Sequence, residues 1–172
     1  MFEMVIQIAL KKVFDTNVSG DGYLVQKIEC MGHVQKRMGT RLCNLLSITL
    51  WPLADGKTVG GRGRLKGDQI KATTQYYGNA IRDNRGDLKS MREAVWAIWF
   101  HKGSSHEHPV RNFCRTSWCL WKQAQAEGTL QTCKHNLSLA IIDEIKPIFK
   151  DLAKRELSQN CLAGYAQNAM SV

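Results

Sequence analysis

Cys30 and His33, three residues apart, are soft metal ligands set where an apolar run gives way to a basic, helix-like pattern. Zinc takes about four nitrogen or sulfur ligands in a tetrahedron, so one Cys-x-x-His pair is half a site. The other reading is scaffolding: a half-buried thiol and a helix-start imidazole with no metal between them. A second concentration of ligands lies further on, where His101, His106, His108, Cys114 and Cys119 share a stretch of irregular pattern rich in tryptophan. Such a stretch has little apolar core to hold it, and a metal shared by His101, His108, Cys114 and Cys119 would supply the missing crosslink. The six cysteines read as thiols of a reducing, intracellular compartment rather than as disulfides.

Basic side chains offer different chemistry. The 172 residues carry 24 Lys and Arg against 15 Asp and Glu, a net charge of +9, and a pI near 9.4. That balance favours a polyanionic partner, nucleic acid first. Lys36, Arg37 and Arg41 flank one helical stripe, while Arg62, Arg64 and Lys66 crowd the glycine-rich string GKTVGGRGRLKG. All six could meet DNA phosphates without reading bases, or form a solvated surface. The string lacks the Gly-x-x-x-x-Gly-Lys-Ser/Thr spacing of a nucleotide-phosphate loop, so nucleotide hydrolysis is set aside. The apolar run at residues 4–10 is too short to cross a bilayer and has neither the basic start nor the cleavage site of a signal peptide. No membrane role is expected.

The elements that must position these residues are mostly helical. Residues 5–8 and 25–30 read as short strands separated by a turn-rich segment. Val34, Met38, Leu42, Leu45 and Leu46 fall at helical spacing. After the glycine-rich loop, Asp68 is a candidate N-cap for a helix with the stripe Ile70, Thr74, Tyr77 and Ile81. Asp87 caps another with Leu88, Met91, Val95 and Ile98, and Ser138 one with Ile141, Ile142, Ile145, Phe149 and Leu152, which Pro147 should kink. Trp96, Trp99, Trp118 and Trp121 read as core of the helical part rather than as stacking platforms.

The strings KIECMGHVQKRMGTRL and YYGNAIRDNRGDLKSMREAVWAIWFH, then SWC, KH, IKPIFKDL and CLAGYAQN, resemble in order the central part of the eukaryotic Mutator-like transposase domain. That resemblance implies a ribonuclease-H-like (DDE) fold in which two Asp and one Glu hold Mg²⁺ or Mn²⁺ for DNA transposition. It implies a helical insertion between the second Asp and the Glu, and a nuclear setting. Cys30 and His33 match the family's Cys-x-x-His pair, whose second half would come from Cys161, with Cys43 or His135 as a fourth ligand. In the insertion the family pattern has a histidine where Arg111 stands and a wider spacing between the two cysteines.

The carboxylates the family needs are not found in the corresponding strings. Residues 4–10 hold none, Asp15 and Asp21 come too late, and Gln167–Asn168 leads to Ala169 rather than to a Glu. A two-metal site needs carboxylates clustered around ions roughly 3.5–4 Å apart. The expectation is therefore an α+β, predominantly α-helical chain. Residues 1–50 would be a partial ribonuclease-H-like core, 51–137 a helical, Cys/His-rich insertion, and 138–172 C-terminal helices truncated before the catalytic Glu. Functionally it reads as a transposase fragment or decayed remnant, inactive in catalysis, with residual non-specific DNA binding. The alternative is a zinc-stabilised intracellular interaction module with no DNA role.

Overall fold

The computed structural model describes residues 29–105, 109–111, 113–129 and 137–162. These residues are predominantly helical, as expected, and contain no strand. The expected strand at residues 5–8 lies outside the described residues, as does the one at 25–30 up to residue 28. Glu29 and Cys30, its last two residues, are not strand but the lead-in to a helix.

That helix, α1 (Met31–Ile48), forms because Met31, Val34, Met38 and Leu42 recur every three or four residues and all four are buried. Leu45 and Leu46 extend the same stripe, half-buried against the core. The chain then turns through residues 49–66, which are more than a solvated loop. Leu53, Val59 and Leu65 are buried, and Arg64 with them at 7 % exposure. Its guanidinium forms an ion pair with Asp55, donating through Nη1 to Oδ2 and through Nη2 to Oδ1 at 3.2 Å. Backbone bonds from Leu53 N–H to the Lys57 carbonyl and from Leu65 N–H to the Val59 carbonyl close two turns. Gly56, Gly61 and Gly63 sit at φ of 73°, 125° and 72°, values that side-chain-bearing residues rarely adopt.

Helix α2 (Gly67–Arg82) starts two residues earlier than expected: Lys66 is the N-cap, and Asp68 stands in the first turn, where its charge favours the helix dipole. Its buried stripe runs Ile70, Thr73, Tyr77 and Ile81. Thr74 faces α1 instead, so close that a Cβ on Gly39 would lie 3.0 Å from its Oγ1. Gly39 lets the two backbones approach, and α1 and α2 form the largest helix interface. Helix α3 (Leu88–Gly103) is capped as expected by Asp87, whose carboxylate accepts from the N–H groups of Lys89 and Ser90. A short α4 (Leu120–Ala126) follows, then α5 (Leu139–Leu152) and a short α6 (Arg155–Asn160). Ser138 is the N-cap of α5 without a side-chain cap bond, and its hydroxyl reaches Asp55 Oδ2 at 3.5 Å. Helix α5 runs uninterrupted through Pro147, which lies on its exposed side, while Ile145, Phe149 and Leu152 remain buried opposite.

The four long helices close a ring: α1 packs on α2, α2 on α3, α3 on α5 and α5 on α1, with α6 against α3. Inside lie Met38, Leu42, Tyr77, Met91, Ile98, Ile141, Ile145 and Phe149, all nearly or wholly buried. One apolar cluster runs from Met31 to Cys161 and draws on all three segments marked out by the sequence.

Candidate metal centre

The C-terminal turn of α3 positions His101, and the irregular stretch behind it returns two thiols to the same place. Cys114 and Cys119 are both buried, and their sulfurs lie 3.7 and 3.8 Å from His101 Nδ1. All three candidate ligand atoms lie within 4.8 Å of one another. In a tetrahedral zinc site with Zn–S near 2.3 Å and Zn–N near 2.0–2.1 Å, a sulfur–nitrogen edge spans about 3.6 Å. The donor set and its two measured edges therefore suit zinc.

Local geometry explains why the stretch folds this way. Backbone bonds from Cys114 N–H to the Arg111 carbonyl and from Cys119 N–H to the Arg115 carbonyl make two consecutive turns. Cys119 then serves as N-cap of α4. Trp118 lies over His101 at 4.9 Å between ring centroids, and Tyr76 of α2 packs on both rings. The expected core role of these tryptophans is thus specific for Trp118: it shields the imidazole. Trp96 and Trp99 pack half-buried against the main core, and Trp99 Nε1 donates to the Ile142 carbonyl.

Burial, helped by the nearby Arg111 and Lys102 charges, lowers the His101 pKa to about 4. The imidazole is therefore neutral near pH 7, as a metal ligand must be. Burial also pushes the Cys114 thiol up to about 12, with neighbouring Cys119 adding to the shift. The metal-free cluster is accordingly protonated at Cys114, and a thiophilic ion would have to release that proton on binding.

Arg111 joins the cluster and is the member that ligand counting misses. It is buried at 6 % exposure, and its Nη1 donates to His101 Nδ1 at 2.9 Å and to Cys119 Sγ at 3.5 Å. A signal was available, since Arg111 stands three residues before Cys114 inside the His/Cys-rich stretch. His106 and His108 lie outside the described residues.

The Cys30 pair is arranged differently. Cys30 is half-buried as the N-cap of α1, His33 is exposed on its first turn, and Cys161 is buried as the C-cap of α6. A bond from Glu29 N–H to the Asn160 carbonyl lays the two segments side by side. Yet among the described residues the three-ligand group is His101, Cys114 and Cys119; Cys30, His33 and Cys161 do not gather within the same 4.8 Å. Cys43 is exposed on α1, and His135 lies outside the described residues.

The six basic candidates divide in two. Lys36, Arg62 and Lys66 are exposed. Arg37 and Arg41, half-buried, each hold a carboxylate, Glu29 at 2.9 Å and Asp151 at 3.2 Å. Arg64, bound to Asp55 inside its loop, is turned away from solvent.

A family model described as Mutator-like transposase matches residues 9–119, well over half of the chain and including all three ligands of the cluster. Neither the curated proteins nor the solved structures compared with the chain include a match. No described helix is long and apolar enough to cross a membrane.

Proposed function

Because the chain belongs to the Mutator-like transposase family, we propose that it is a transposase-derived protein that binds duplex DNA without sequence preference and does not itself cut it. The observation that carries the DNA reading is the family match across residues 9–119, since a transposase acts on DNA. The exposure of Lys36, Arg62 and Lys66, with a net charge of +9, supports it. Arg37 and Arg41 add partial contributions, because each already neutralises a carboxylate. Arg64 serves the scaffold of its loop. Zinc held by His101, Cys114 and Cys119 would supply a structural crosslink that pins Cys114 and Cys119 onto α3; no chemistry on DNA is assigned to it.

Titration of a random-sequence duplex by fluorescence anisotropy at several salt concentrations tests this reading. Binding should be weak, on the order of 10⁻⁴–10⁻⁶ M at physiological salt, with a log–log salt slope of roughly −0.9 per phosphate contact. Replacing Lys36, Arg62 and Lys66 together by Ala should flatten the slope by up to about three contacts without shifting the melting temperature. No binding at low salt would overturn the DNA reading and favour a zinc-stabilised interaction module instead.

A further inference from the structure

We infer that Arg111 and a metal ion compete for one position, so that arrival of the ion ejects the Arg111 guanidinium and the cluster works as a metal-operated latch on the contacts that join Ser104, Val110 and Arg111. The inference rests on reading His101, Cys114 and Cys119 as a metal centre. Arginine has donors and no acceptor, so the 2.9 Å contact from Nη1 fixes His101 Nδ1 as the acceptor. The lone pair that accepts from Arg111 is the one that a metal facing both sulfurs would take, because the 3.7 and 3.8 Å approaches of Cys114 and Cys119 converge on the same nitrogen. The same Nη1 also donates to Cys119 Sγ at 3.5 Å. One guanidinium nitrogen thus contacts two of the three ligand atoms, and it cannot remain there beside a dication.

The rest of Arg111 shows what its departure would undo. Its Nε donates to Ser104 Oγ at 3.0 Å, and that hydroxyl, on a fully buried residue, also accepts from Val110 N–H at 3.1 Å. The guanidinium carbon lies 5.8 Å from the Trp121 ring. Losing these contacts would release Ser104 from Arg111 and uncover one face of Trp121. Cys114 also lines a cavity walled by Tyr76, Asn79, Asn84, Arg115 and Trp118, through which an ion could reach its sulfur.

The test uses the whole chain. Co²⁺ titration followed by thiolate-to-metal and d–d absorption, then Zn²⁺ competition, should show R111M binding at least about tenfold more tightly than the parent, because the ion no longer displaces a bonded cation. H101A should lose the signal in either background. In the unmutated chain, mass spectrometry after phenylglyoxal treatment should find Arg111 protected without metal and modified once Zn²⁺ is added; this arm does not depend on the folding of any variant. Equal affinities of parent and R111M, or Arg111 modification indifferent to Zn²⁺, would overturn the latch while leaving the metal centre standing. If neither parent nor R111M gives a cobalt–thiolate signal, the metal reading fails and the latch with it.

Discussion

Tyr77 lies 1 % exposed among the four long helices, and its hydroxyl donates to the Leu152 carbonyl at 3.1 Å, tying α2 to the end of α5. Burial, reinforced by the Cys161 and Glu29 charges, raises its pKa above the usual tyrosine range. The folded chain therefore keeps the phenol neutral while the unfolded chain ionises it near pH 10, so its share of stability is full below about pH 10 and is lost as pH rises beyond. Urea denaturation at pH 8 and pH 10.5 should show the parent losing more stability than Y77F over that interval. At pH 8, Y77F should itself cost about 1 kcal/mol for the missing hydrogen bond. The buried thiols also oppose folding at high pH, and they cancel in this comparison because both proteins keep them. At the metal centre, Zn²⁺ at a hundred times its dissociation constant should add about 2.7 kcal/mol to the parent. C114S, measured by the same thermal melts, should gain nothing, and an equal gain would remove Cys114 from the ligand set. Cys114 and Cys119 were legible as ligands because few other reasons place two cysteines and a histidine in an irregular stretch. Arg111 was legible only as a departure from the family's histidine, and its place against His101 was not, because a cation amid metal ligands contradicts the pattern being sought.

At the scale of elements, α1 shows how much a stripe reveals. Val34, Met38 and Leu42 were readable as a buried face because a 3.6-residue period brings every third or fourth side chain to one side, and all three are wholly buried. M38A should cost about 2–5 kcal/mol by urea unfolding, since nothing at the centre of the bundle can collapse fully into the space left. The glycine-rich loop shows the opposite. Its composition reads as solvated backbone, yet its fold turns on Arg64, nine residues from Asp55 and held against it inside the loop. R64A should lower the melting temperature by several degrees, whereas R62A and K66A, on exposed positions of the same loop, should leave it unchanged. Nothing local separates these three cations in the sequence; only closure of the loop decides which one faces inward. The exchange of Thr74 for Thr73 in the α2 stripe has a similar origin, because the small residue Gly39 draws α1 close at Thr74.

For the molecule as a whole, supercoiled plasmid incubated with the 172-residue chain and Mg²⁺ or Mn²⁺ should stay supercoiled on an agarose gel. Metal-dependent nicking abolished by D15N or D21N would overturn this expectation and make those residues, which lie outside the described ones, catalytic. Among the described acidic residues, Glu29, Asp55 and Asp151 hold arginines and Asp87 caps a helix, so these four carboxylates have structural uses. What the sequence determined by itself was what depends on short-range pattern: the helical stripes, the Asp87 cap, the family and the His/Cys-rich stretch as the place where candidate metal ligands gather. The tertiary structure decided what depends on residues far apart in the chain. It closed four helices into one ring, laid Glu29 beside Asn160, turned Arg64 inward and set the Arg111 guanidinium against His101. Periodicity is a property of neighbours and can be read along the chain. A buried cation's partner is whichever acceptor the folded chain leaves facing it, and that arrangement exists only once the loop has closed and the helices have packed.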